Sequence, residues 1–140
     1  MRFMILIKAT KASEAGELPD EKMLTAMGKF NEELAKAGVL LAGEGLRSSA
    51  LGARVRFSGA NRTVIDGPFT ESKELVAGYW IIQCKSREEA IEWMKRAPFG
   101  GGCQIEIRPI MEFCDLPPDV LPEGLAEYEQ LLRDEIQKRK

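Results

Sequence analysis

The stretch "DGPFTESKELVAGYWIIQC", residues 66–84, joins a shaped polar loop to a strand that is apolar on both sides. From Val76 onward, Gly78, Trp80 and Ile82 alternate with Ala77, Tyr79 and Ile81. In an extended chain those two sets point to opposite faces, and neither set is polar. A strand of this kind belongs inside a sheet with both faces covered. The loop ahead of it is built from restrictive residues. Gly67 precedes a proline, which drives it out of the right-handed helical region. Pro68 fixes the exit direction of the chain. Phe69 is expected to anchor the loop in the core, and Thr70 to cap a short helical turn over residues 71–74.

Working outward, "MRFMILIKAT" reads as a first strand, with Phe3, Ile5 and Ile7 on one face and Met4 and Leu6 on the other. "ASEAGELPD" reads as a surface loop ending at Asp20, an N-cap for a helix whose stripe is Met23, Met27, Phe30 and Leu34. Gly38 closes that helix. "VLLAGEGL" is a second strand and "SSALG" a turn. "ARVRFSG" and "NRTVID" alternate around Gly59-Ala60-Asn61 and read as a hairpin. Its Ala53, Val55 and Phe57 share one face, and Arg54 and Arg56 the other. After the quoted strand, "SREE" is a capping box that opens a second helix with Ala90, Trp93, Met94 and Ala97 facing inward. Pro98 and Gly100–Gly102 stop it, and "CQIEIRPIMEF" is the last strand. A proline-rich connector leads to an amphipathic helix from about Leu121.

The order predicts an α+β fold: a ferredoxin-like antiparallel sheet with two helices on one face, an inserted β-hairpin and a C-terminal helix. Residues 1–112 form the ferredoxin-like domain; 113–140 are connector and helix. Two helices cover one face of such a sheet. Strands apolar on both faces therefore call for a second cover, and an identical sheet from another copy supplies it. A homodimer closing into a dimeric α/β-barrel is the expected assembly.

The totals narrow the function. The chain has 140 residues and a net charge of −2, so a basic surface for nucleic acid is not expected. Its three cysteines, Cys84, Cys103 and Cys114, are too few and too spread for a zinc knuckle or a disulfide framework. The N-terminal apolar run is too short for a signal peptide or a membrane span, so a cytoplasmic location and no membrane partner are expected. There is no histidine, which removes the usual neutral-pH base and the commonest metal ligand. Neither a metal nor a cofactor is expected, and proton transfer falls to Asp, Glu, Lys, Tyr or Cys.

Among the candidates, Asp66 is either the acceptor of an Asx-type turn or a carboxylate at the mouth of a cleft. Arg47, at the end of the second strand, is placed to pair with Asp66 or to orient an anion. Arg54 is either a solvated hairpin cation or an anion contact. Glu44 lies between two glycines in a strand, a pattern for a bulge or a close approach of backbone. It is either a ligand contact or an edge charge. Gly67, Pro68, Phe69 and Lys73 complete the candidate ligand-binding loop, although Lys73 reads most simply as part of a solvated turn. "GGG" at 100–102 follows a helix instead of opening one, so it is no phosphate loop.

The runs "RVRFSG", "TVIDGPFTESKE", "GYWIIQ" and "IEIRP" resemble the DGPF branch of the YCII-related family, over residues 1 to about 112. The resemblance implies a dimeric α/β-barrel of ferredoxin-like subunits, with relatives that include cofactor-free lyases, isomerases and monooxygenases acting on small organic molecules. Some family domains accompany sigma-factor-like proteins, but no DNA-reading element is present here. The proton-transfer pair proposed for YCII proteins, a helix histidine with an aspartate before a proline, is missing: Ala97 precedes Pro98. Asp66 is the best-placed acid left. The resulting expectation is a small-molecule lyase or isomerase using Asp66 for proton transfer; the alternative is a non-catalytic binding or regulatory dimer.

Overall fold

The computed structural model describes residues 1–70 and 74–140. It divides into two compact units, Met1–Pro109 and Ile110–Lys140. The first is an α+β unit. Its elements run β1 (Arg2–Lys8), α1 (Lys11–Glu14), α2 (Glu21–Lys36), β2 (Leu40–Gly45), β3 (Ala53–Ser58), β4 (Asn61–Asp66), β5 (Val76–Gln83), α3 (Arg87–Lys95) and β6 (Ile105–Pro109).

Four strands form one antiparallel sheet in the order β2-β5-β1-β6, the ferredoxin-like arrangement. Register assigns the faces. Ile5 stands opposite Trp80 and Ile107, while Leu6 stands opposite Tyr79 and Glu106. Phe3, Ile5, Trp80 and Ile82 are buried together with Phe30 and Leu34 of α2 and Ala90 and Met94 of α3. Both helices therefore pack on that face. Trp80 meets Phe30 edge-on at 5.5 Å between ring centroids. Its indole N–H donates to Asn31 Oδ1 at 2.8 Å.

Local signals explain the helix ends. Asp20 Oδ1 accepts the Met23 N–H, and Gly38 takes φ +70° immediately after α2. Ser86 Oγ accepts the Glu89 N–H, but Glu89 reaches back to the Lys85 N–H, one residue before the expected capping-box partner. The segment expected as a loop, "ASEAGELPD", begins inside a helix. Thr10 and Ser13 cap each other and wind the single turn α1.

The hairpin β3–β4 is a separate two-stranded sheet, reversing at Gly59–Ala60. Val55 opposes Val64 on one face, and Arg54 opposes Ile65 on the other. Val55, Phe57 and Val64 are exposed. At the opposite sheet edge, Glu106 lies 3.4 Å from Lys8 and 3.3 Å from Arg108. Hydrogen bonds from Arg108 and then Lys8 hold its carboxyl below the usual range.

The second unit begins with two short 3-10 turns, Phe113–Asp115 and Pro118–Val120, and ends in α4 (Leu125–Lys138). Gly124, at φ +79°, directs the chain into α4. The helix starts later than the apolar spacing suggested because Pro122 and Gly124 interrupt it. Among the described residues, no helix is long and apolar enough to cross a membrane.

Candidate functional site

The loop that opens the quoted stretch sits against the turn following β2. Ser48 caps a 3-10 turn, Ser49–Leu51, by accepting the Ala50 N–H. The Gly67 N–H donates to the Gly52 carbonyl at 3.0 Å, closing the base of the hairpin. The Gly67–Pro68 peptide bond is cis. A Cβ at Gly67 would fall 1.7 Å from the Ser49 carbonyl oxygen, so only glycine permits this approach. The next amide, Phe69 N–H, donates to Ser49 Oγ at 3.0 Å.

Glu14, the last residue of α1, completes the arrangement. Its Oε2 accepts the Ser49 hydroxyl at 2.5 Å and its Oε1 accepts the Ser49 N–H at 3.1 Å. Its carbonyl accepts the Ser48 hydroxyl at 2.6 Å. A carboxylate acceptor makes the Ser49 contact a charge-assisted bond of ordinary length for that class. One glutamate thus fixes the Ser48–Ser49 turn, and Ser49 fixes the loop.

Between these parts lies a cleft of about 490 Å³ lined by Glu14, Leu46, Arg47, Arg54, Phe69 and Leu75, among others. The Arg54 guanidinium stacks 3.8 Å above the centroid of the Phe69 ring. Neither Arg47 nor Arg54 forms an ion pair among the described residues. The walls therefore combine two cations that have no ion-pair partner among the described residues, one hydrogen-bonded carboxylate and several leucines. A larger depression of about 610 Å³ lies along α2 between Asp20 and Lys29. Among the described residues all its walls come from that one helix and its cap, so no second element brings groups to converge on a ligand.

The structure gathers some of the expected residues and separates others. Arg47, Arg54 and Phe69 line the cleft. Phe69 was expected in the core; it is instead half-buried under Arg54, outside the buried cluster. Gly67 and Pro68 shape the loop from behind. Asp66 ends β4 opposite Ala53; it is exposed and does not line the cleft. Among the described residues it accepts no hydrogen bond and forms no pair with Arg47. Glu44 stands opposite Tyr79, on the sheet face away from the helices, and is exposed. Its neighbour Gly43 carries the close approach: a Cβ there would lie 2.5 Å from Trp80 Cδ1. Lys73 and the turn expected over 71–74 involve residues outside those described.

Glu14, Ser48 and Ser49 were not among the expected site residues. The Thr10/Ser13 capping pair is the local signal that places Glu14 on a helix. Nothing local ties it to Ser49, 35 positions away. Among the described residues, no group of three or more His, Cys, Asp or Glu side chains is arranged to hold a metal.

An uncharacterized protein, R00369, of Rhizobium meliloti (strain 1021) is 30% identical over 76 residues, 54% of this chain and 61% of that protein's length. The chain thus spans less than two-thirds of that relative. Among solved structures, a 5-chloro-2-hydroxyhydroquinone dehydrochlorinase (TftG) from Burkholderia phenoliruptrix AC1100, in complex with 2,5-dihydroxybenzoquinone, is 18% identical with a TM-score of 0.40. That match covers 76% of this chain and 91% of the other. Residues 1–114 match the YCII-related domain, and the chain belongs to the YCII-related family.

Proposed function

We propose that this protein binds a small anionic organic molecule in the cleft beside the Gly67–Phe69 loop and acts on it by cofactor-independent proton transfer, as a lyase or isomerase. The observation that carries the reading is the pair of cleft-lining guanidinium groups, Arg47 and Arg54, that are without ion-pair partners among the described residues. Guanidinium presents a planar fork of donors that matches a carboxylate. Leu46, Leu51 and Leu75 beside them supply apolar wall for the remainder of such a molecule. Asp66 is the proton-transfer group the sequence favours, one residue before the loop glycine.

The chain works as a homodimer in this reading, two copies facing each other across the sheet surface that carries Met4, Leu6, Tyr79 and Ile81. A second reading, a binding or regulatory module without catalysis, draws on the exposure of Asp66 outside the cleft.

Thermal-shift screening with small carboxylates and phenolates tests the binding step, because a ligand selective for the folded state raises apparent stability by mass action. Hits that vanish in Arg47→Ala and Arg54→Ala support the cleft. Hits unchanged in both variants sink it. Turnover of a hit, followed by proton NMR, separates the enzyme from the binder.

A further inference from the structure

We propose that Ser49 and Glu14 form the proton-accepting pair of this cleft, and that its ligand is a small 2-oxo or 3-oxo carboxylate with an acidic C–H. The inference rests on the preceding reading that the cleft takes an anion and moves a proton, and it names the groups and the substrate class.

The hydrogen-bond accounting at Ser49 carries it. A serine hydroxyl has one donor and two acceptor lone pairs. The donor is committed to Glu14 Oε2 at 2.5 Å, and one lone pair takes the Phe69 N–H at 3.0 Å. Among the described residues one lone pair remains without a donor, on a residue that lines the cleft with Arg47 and Arg54. A hydroxyl already donating to a carboxylate is electron-rich and has an outlet for its proton. That is the arrangement by which an adjacent base activates an oxygen that is otherwise a poor proton acceptor. Glu14 is also the one acidic side chain among the cleft-lining residues described.

The step balances without any co-reactant. The substrate C–H bond breaks as an O–H bond forms at Ser49 Oγ. The original Ser49 proton passes along the existing hydrogen bond to Glu14, which becomes neutral. The electron pair left on carbon moves into the neighbouring carbonyl as an enolate, beside the Arg47 and Arg54 charges. Return of the proton to a different atom gives isomerisation. Expulsion of a leaving group from the adjacent carbon gives elimination: the enolate pair becomes the new carbon–carbon double bond, and the departing group leaves with the pair of the bond that held it. Glu14 then releases its proton to water.

Phenylpyruvate is a suitable probe because it joins a carboxylate and an acidic C–H to an apolar ring. Binding is read by saturation-transfer NMR, and exchange of its C3 protons is read in deuterated buffer. The expected result for the full chain is binding together with exchange faster than buffer alone. Glu14→Gln keeps an acceptor for the Ser49 N–H and a polar partner for its hydroxyl, so the turn is held while proton acceptance is lost. Exchange should fall by on the order of 10²-fold, with binding retained. Ser49→Ala should fall similarly, and Ser49→Thr, which keeps the hydroxyl, should recover most of the rate.

Binding with exchange undiminished in Glu14→Gln and Ser49→Ala overturns this inference and leaves the functional reading standing. Loss of exchange in Asp66→Asn alone does the same and assigns the step to Asp66. Failure of phenylpyruvate to bind the full chain overturns both. Thermal unfolding of each variant, followed by tryptophan fluorescence, separates loss of chemistry from loss of fold.

Discussion

Gly67 lies so close to the Ser49 carbonyl that a Cβ on it would sit 1.7 Å from the oxygen. That contact accounts for the glycine of the DGPF sequence as a matter of space between two backbones. The atom to be avoided is backbone, held in place by the Glu14 and Ser48 hydrogen bonds, so it has no rotamer to escape into. Gly67→Ala should therefore displace the loop and destabilise the chain by about 1–3 kcal/mol, as overpacking typically does. Urea denaturation checks this. A stability equal to the parent's would mean that the turn yields freely.

Arg54 holds two roles, a wall of the cleft and a lid on Phe69. Arg54→Ala and Arg47→Ala should each weaken carboxylate binding roughly tenfold, on the scale of a charge-assisted hydrogen bond of about 1.5 kcal/mol. Titration calorimetry with phenylpyruvate reads the loss. Raised salt should weaken binding in the same direction.

Trp80 is 4% exposed and its indole N–H is satisfied by Asn31 at 2.8 Å. Asn31→Ala strands a buried donor and should cost about 1–3 kcal/mol. Tryptophan fluorescence, from Trp80 and Trp93, provides the readout, and the unfolding midpoint should move to lower denaturant at unchanged slope.

Glu106 gives the sheet a defined acid response. Its carboxyl is held low by hydrogen bonds from Arg108 and Lys8. A depressed folded-state pKa adds stability that is present above the unfolded value of about 4.3. That stability is lost as pH falls through the folded pKa. Glu106→Gln should therefore flatten the acid limb of the stability–pH curve and leave its shape above neutral pH unchanged. An acid limb identical to the parent's would count against the ion-pair account.

The proposed assembly is tested by mass. Sedimentation equilibrium at micromolar concentration should return twice the 15.6 kDa chain mass. Leu6→Glu and Ile81→Glu place charge on the sheet face away from the helices and should shift the protein to monomer with its circular dichroism intact. A parent chain sedimenting at the single-chain mass would remove the dimer.

Legibility in the sequence tracked the range of the interaction. The apolar runs 3–7 and 76–82 identified the two central strands of the sheet, whose Phe3, Ile5, Trp80 and Ile82 are buried against the helices. The stripe of Phe30 and Leu34 placed α2 in the same way. Gly59 marked the hairpin turn, where φ is +56°. The four residues of α1 carry no apolar period, so they read as loop; only the reciprocal caps of Thr10 and Ser13 form it. The DGPF stretch pointed to the loop that borders the cleft but drew attention to Asp66, its most reactive-looking side chain, which does not line it. The contacts that build the cleft pass instead through Ser49 and Glu14, whose meeting is a tertiary event with no local trace. Phe69 read as a core anchor, and its actual place under Arg54 was not legible because that cation comes from β3.

Among the described residues the β3–β4 ribbon shares no ladder with the main sheet, and the cleft takes Arg54 from its root. Its distal half is a spare handle. A tag, a fluorophore or a few added residues spliced in at Gly59–Ala60 should change the protein's silhouette while leaving the cleft walls where they are.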